Sequence, residues 1–392
     1  MKGLIITVTT IFILSTVPAM AMDYGTGGLV VIVERKAGNV LVIDSTRHRL
    51  LRRITGVGNL HHGTVKFSRD MHYAYVITRT AGVVKIDLHT LKIVKKVSAG
   101  RDSVGGVMTQ DGRYIALSNY EPGEVKILDA ETLKVVKSIK AHSKDTVGRP
   151  IESRVVGLVD APNGRLVFSL MDGREIWVVD ATKRDFPVVK KYKNIGGFPY
   201  DALITPDGRY YIAGLLGTNK VAVVDMWKEK IRLVSLHEEE NKEEAPLWKI
   251  PHLKGWAITG RYAILPDVQR KWAVVLDLEE FRVVKHIPLN GTALYTVVQP
   301  GGRYVWVDLV GENGDMIDII DVEKLEVVKT ITPGRGATHP QFTPKGEYAY
   351  ISLMKGGKVV VYDTSTFKKI KEFPADHPSG IFFTYRAYRF GM

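Results

Sequence analysis

The sequence predicts an all-β protein, an eight-bladed β-propeller of four-stranded blades whose ring is closed by the C-terminal strand. Three observations lead there. An apolar residue followed by Asp ends a β-branched run eight times, at Asp44, Asp87, Asp129, Asp180, Asp225, Asp277, Asp321 and Asp363, spaced 43, 42, 51, 45, 52, 44 and 42 positions apart. Upstream of most of these lies a Gly turn, as in Asp111-Gly112-Arg113-Tyr114, Asp207-Gly208-Arg209-Tyr210 and Gly301-Gly302-Arg303-Tyr304. Runs such as 220–225 and 358–363 are too short and too well punctuated to be helices. Each unit therefore reads strand, Gly turn, strand, loop, strand, Asp turn, strand.

Taken in chain order, the first element is a targeting segment. Lys2 precedes an apolar run over 4–14, and Ala19-Met20-Ala21 offers a small-residue cleavage site, so 1–21 is expected to be a secretory signal peptide. The remainder, 22–392, is expected to be a single exported propeller domain. The first unit, from Gly27 to Asp44, lacks a full set of strands, and the tail from Gly380 supplies one to complete it. Insertions fall near 140–151 and 236–247, the second containing Glu238-Glu239-Glu240, read as a solvated loop. The Asp and Gly of the turns are read as structural.

Composition narrows the chemistry. The chain has no Cys, which excludes disulfides, thiol nucleophiles, Cys-type metal sites and a CxxCH attachment for c-type haem. Lys and Arg total 55 against 42 acidic residues, a formal charge of +13 spread along the chain, which argues against a nucleic-acid partner. HExxH, GxSxG and Walker motifs are absent, and Gly25-Thr26-Gly27-Gly28 opens no helix, so NAD binding is not expected.

The segment before each Gly turn is expected to be the innermost strand, with its first residues at the channel mouth. Reading that phase gives His61-His62, Ser103, Arg154, Tyr200-Asp201, His252, Tyr295 and His339, with His377 before the closing strand. Five of the chain's 11 His thus share one structural position, and the other six, His48, His72, His89, His142, His237 and His286, fall on turns or outer strands where solvent exposure is expected. A single His at a strand start is more often a hydrogen-bonding residue than a ligand, so the weight rests on the group. Imidazole can ligate iron axially, Arg can pair with carboxylates, and Tyr120 and Trp256 are candidates for apolar walls.

Several longer segments carry a resemblance. Gly105-Gly106-Val107, Ser118-Asn119-Tyr120-Glu121-Pro122-Gly123, the run 153–162 around Arg154, Pro199-Tyr200-Asp201-Ala202-Leu203-Ile204, Pro251-His252-Leu253-Lys254-Gly255-Trp256 and Pro378-Ser379-Gly380-Ile381-Phe382-Phe383 resemble the NirF family of d1-haem biosynthesis proteins, relatives of the eight-bladed propeller of cytochrome cd1 nitrite reductase. The resemblance implies a periplasmic protein of denitrification that binds d1-type haem or dihydro-d1 haem, a late tetrapyrrole intermediate, and takes part in its maturation. It also implies a homodimer and transient contact with cytochrome cd1 nitrite reductase or other d1-haem maturation proteins.

Carried over by residue, the resemblance makes His61 or His62 an axial ligand, with His62 preferred as the metal ligand; adjacent strand residues point to opposite sides, so only one of the two is expected to face the channel. Arg154 suits haem carboxylates, with Arg386 of the tail a further candidate beside His377, Tyr120 and Trp256. Tyr200, Asp201, His252 and His339 are the candidates for proton transfer. Two other readings stand beside a tetrapyrrole-modifying enzyme: a carrier that hands the haem on unaltered, and a generic exported propeller that binds a protein.

Overall fold

A computed structural model describes residues 23–237, 257–267 and 270–391. Segment 1–21, expected to be a signal peptide, residues 238–247 of the acidic insertion, His252 and Trp256 lie outside them. The described residues form eight four-stranded antiparallel sheets and one two-stranded hairpin. The sheets are numbered here as blades I to VIII in chain order. Innermost strands run Thr64–Phe67, Asp102–Met108, Val155–Ala161, Phe198–Ile204, Ala257–Thr259, Thr292–Val298 and Ala337–Phe342 in blades II to VIII. Blade I is a hybrid. Its outer three strands, Leu29–Glu34, Asn39–Asp44 and Arg49–Ile54, come from one end of the chain and its innermost, Pro378–Phe383, from the other. Closure pairs Val30, Val31 and Ile32 with Phe383, Phe382 and Ile381.

The repeat motifs work as turn chemistry. In blade III, Thr109 Oγ1 donates to Asp111 Oδ1 at 2.6 Å, and Asp111 Oδ1 accepts the Arg113 amide at 3.0 Å. Tyr114 N returns to Thr109 Oγ1 at 3.1 Å, while Gly112 takes φ 72°, which a side chain resists. The Asp that ends each third strand caps the following turn: Asp129 Oδ1 accepts Thr132 N at 2.7 Å, and Asp363 Oδ1 accepts Thr366 N at 2.8 Å. The Arg of the Gly turn has a role the sequence did not disclose. It reaches the same Asp from the adjacent strand, Arg209 to Asp225 and Arg303 to Asp321 both at 3.1 Å. Blades IV to VII are thereby tied across their middle two strands, Arg165 to Asp180 and Arg261 to Asp277 being the other two ties.

Second and third strands are buried on both faces, as in Asn39–Asp44 and Glu175–Asp180, and their aliphatic side chains pack between neighbouring blades. Outermost strands are mostly exposed and carry Lys or Arg in every blade, including Lys95, Lys140, Lys191, Lys230, Lys285, Lys329 and Lys371. The first insertion folds as a hairpin, His142–Lys144 against Pro150–Glu152, pinned by Ser143 Oγ donating to Glu175 Oε1 at 2.8 Å. The expectation that the remaining His are solvent-exposed fails at His237. Its side chain is 9% exposed because it stacks on His286 at 5.0 Å and pairs with Asp267.

These turn carboxylates set the acid limit of the fold. Hydrogen bonds from Ser365 and Thr366 hold Asp363 at about 2, and the Thr132 and Thr182 donors likewise hold Asp129 and Asp180 below the ordinary carboxylate range. A depressed folded-state value means this stabilisation is complete above the unfolded value near 4 and is lost as pH falls toward 2. Urea unfolding at stepped pH is expected to show a stability plateau above about pH 4 and a fall between about 4 and 2. Asp129→Ala is expected to cost about 1 kcal/mol at neutral pH and to make that fall shallower.

Candidate functional site

The innermost strands pack against one another around a central channel. A cavity of about 420 Å³ opens at the end where those strands begin, within the range of small-molecule sites. Val104, Val156, Leu158, Leu294, Met354 and Phe382 give it apolar walls. Polar side chains converge into it: Arg35, His61, His62, Tyr120, Tyr200, Asp201, Tyr295 and His339.

The inner strands lose regular register at the level of this cavity. Pairing with the second strand shifts between Ser103 and Gly105, Val156 and Val159, Pro199 and Ala202, Ala293 and Tyr295, and Thr338 and Gln341, and the closing strand shifts opposite Ile32 and Glu34. A bulge re-aims side chains and frees backbone groups from the ladder. Side chains of the second strands then take those groups up. Tyr211 Oη donates to Gly157 O at 2.8 Å, and Ser118 Oγ donates to Gly105 O at 3.1 Å. Gly157 itself has φ 59°, and a Cβ there would lie 2.8 Å from Tyr211 Oη. Asp308, fully buried, does the most: its carboxylate accepts the Tyr295 amide at 2.7 Å, the His339 amide at 2.8 Å and Thr338 Oγ1 at 2.7 Å. It holds His339 at φ 54° with its ring 4.3 Å from that of Tyr295.

One side of the mouth is imidazole-rich. His61 and His62 occupy a turn just before the inner strand of blade II, with ring centroids 5.3 Å apart. Arg35 Nη2 lies 2.7 Å and 2.8 Å from the two ring nitrogens of His61. Desolvation, then the Arg35 and Arg79 charges, lower the His61 pKa, which favours its neutral ring. On the other side, Tyr120 Oη donates to Tyr200 Oη at 3.4 Å, and the Tyr120 ring sits between the Arg79 and Arg154 guanidiniums at 5.3 and 5.7 Å. Burial drives the pKa of Tyr120 and Tyr295 well above the ordinary phenol range, so both remain hydrogen-bond donors.

Of the sequence-predicted residues, the cavity brings together His61, His62, Tyr120, Tyr200, Asp201 and His339. The expectation that only one of His61 and His62 can face the channel is corrected, since they lie on a turn and the alternation of a strand does not apply. Arg154 stands outside the cavity lining. Asp172 neutralises it, accepting Arg154 Nε at 3.0 Å and Nη2 at 2.5 Å, so it braces Tyr120 from behind. His377 is likewise off the lining and pairs with Asp376 at 2.7 Å. Arg386 lies beneath the cavity, under the Phe382 ring at 5.2 Å. Arg35, Lys66 and Asp308 were missed. Arg35 has a readable signal: it directly follows a second strand, as Met354 does, while Tyr120 sits near the end of another.

Residues 24–387 match the family described as the Cytochrome D1 heme domain. Protein NirF of Pseudomonas aeruginosa is 40% identical over 370 residues, spanning 94% of this chain and 94% of that protein. The Dihydro-heme d1 dehydrogenase of the same organism is 31% identical over 361 residues, spanning 90% of this chain and 70% of that protein. Among solved structures, Dihydro-heme d1 dehydrogenase NirN in complex with DHE has a TM-score of 0.82 at 27% identity, covering 96% of this chain and 79% of that one.

Asp308→Ala leaves three buried donors without their acceptor and is expected to cost about 2–4 kcal/mol in urea unfolding, with Asp308→Asn retaining part of the loss.

Proposed function

We propose, on the premise that this chain belongs to the NirF family within the cytochrome d1 haem domain proteins, that it binds dihydro-d1 haem or a closely related d1-type tetrapyrrole in the channel cavity and takes part in its maturation. One observation carries the proposal. A single apolar-walled cavity presents neutral imidazole with a guanidinium beside it on one side and protonated phenols on the other, which suits a flat macrocycle with an iron centre and carboxylate edges. The macrocycle supplies the iron and the conjugated ring when bound.

The chain's residues have separate tasks in this reading. His61 or His62 would ligate the iron from one face. No three His, Cys, Asp or Glu converge to hold a metal ion among the described residues, and a lone imidazole suits an iron whose other positions the ligand itself fills. Arg35 would take a ligand carboxylate, because burial lowers its pKa and, among the described residues, its guanidinium hydrogen-bonds to the uncharged His61 ring and forms no ion pair. Tyr200 and Asp201 on one side and His339 on the other stand where a proton can be held or moved at a ring substituent. Export to the periplasm belongs to the same proposal, supported by Lys2, the apolar run 4–14 and Ala19-Met20-Ala21.

Anaerobic visible-absorption titration with dihydro-d1 haem, with b haem as control, tests it. Saturable binding selective for the d1-type ligand with an imidazole-like shift is expected. Equal weak binding of both ligands sinks the reading and leaves a propeller with another partner. Loss of the spectral shift with affinity at least ~10-fold weaker, about 1.4 kcal/mol, is expected for whichever of His61→Ala and His62→Ala removes the ligand. Arg35→Gln is expected to weaken binding ~5–10-fold, and Arg154→Gln less, because Asp172 already spends that charge. Mass analysis of the ligand after incubation then separates maturation from delivery of an unaltered haem.

A further inference from the structure

At the far end of the channel the tail crosses the inner strands and stops the exit. Its short helical turn, Thr384–Tyr388, is fastened by Tyr385 Oη to Phe342 O at 3.3 Å, and beyond it Gly391 N donates to Asp160 Oδ1 at 2.8 Å. Beneath the tail lies a second cavity of about 10 Å³, room for one water-sized species. Lys66 separates it from the larger cavity and lines both.

Its polar walls do not balance. Lys66, Arg69, Arg386 and Arg389 face it with one carboxylate, Asp160. That carboxylate is engaged elsewhere, accepting Gly391 N on one oxygen and Gln110 Nε2 on the other, with Arg69 Nη2 at 4.0 Å. Arg386 is 3% exposed and donates only through Nη2, to Gln341 Oε1, while its Nε and Nη1 are buried with no partner. Arg69 Nε is also buried without one. An unpaired buried guanidinium is among the costliest groups a fold can carry.

We propose that this small cavity binds one inorganic anion of chloride size, held by Arg386 and Lys66, which fastens the C-terminal tail over the channel exit. A water would satisfy hydrogen bonds but leave the excess positive charge, and a carboxylate-bearing ligand exceeds the space. Burial, only partly offset at Lys66 by the Asp160 charge, lowers Lys66 to about 7 and Arg386 to about 10, the direction an anion would reverse. The site stands independently of what fills the larger cavity.

Thermal unfolding of the mature chain in chloride and in gluconate, at equal ionic strength, tests the proposal alongside crystals grown in bromide. Chloride is expected to raise Tm saturably by about 2–4 °C over gluconate, and bromide to give an anomalous peak against Arg386. Arg386→Met is expected to abolish the halide dependence. Should that variant fail to fold, Arg389→Gln, an exposed change at the same cavity, is expected to raise the half-saturating chloride several-fold. Identical Tm in the two salts, with no anomalous peak in the cavity, overturns it.

Discussion

The ring depends on one antiparallel pairing, in which Val30, Val31 and Ile32 meet Phe383, Phe382 and Ile381. The rest of the strand pairing is local: each of the other blades is made of consecutive strands. Closure alone joins residues 353 positions apart, from Val30 to Phe383. It also supplies the blade I inner strand, without which Ser379, Gly380 and Phe382 would leave the cavity wall unmade. The site is therefore a property of the completed ring. Loop-closure entropy makes such a contact late and slow, and the local turn network holds the blades ready for it.

Within the ring, the site comes from controlled failure of the β-ladder. A regular inner strand would send alternate side chains into the channel and into the blade interface. Bulges in blades III, IV, V, VII and VIII turn successive residues toward the channel instead, which is how Tyr200 and the adjacent Asp201 both reach it. The freed backbone groups demand partners. Tyr211, Ser118 and Asp308 supply them from the second strands, so the residues that hold the cavity open lie one strand behind those that face it.

This explains which parts were legible in the sequence. Asp spacing and Gly turns report strand boundaries, so blade number, inner-strand position and hybrid closure could all be read. The inner-strand phase located His61, His62, Tyr200, Asp201 and His339 at the mouth. Spacing is silent on which partner a neighbouring strand brings. It could not show that Asp172 takes the charge of Arg154, or that Arg35 reaches across to His61. Period-two reasoning also failed where the backbone leaves the strand, at the His61-His62 turn, since alternation holds only for a continuous ladder. Arg386 shows a third limit: the tail was read as a strand and a basic end, whereas it turns under Phe382 and plugs the exit.

The Lys and Arg of the outermost strands carry a consequence of their own. A closed ring removes the inner edges of its sheets but leaves eight outer ones open, each an unfinished ladder able to accept a strand from another molecule. Val94, Val135, Val189, Val328 and Ile370 are exposed along these edges and would favour such growth. The interleaved cations oppose it, placing much of the +13 surplus as a girdle around the rim of the disc. Colloidal stability is thus electrostatic in origin, acting over about 10 Å at 0.1 M salt and contracting as salt is added.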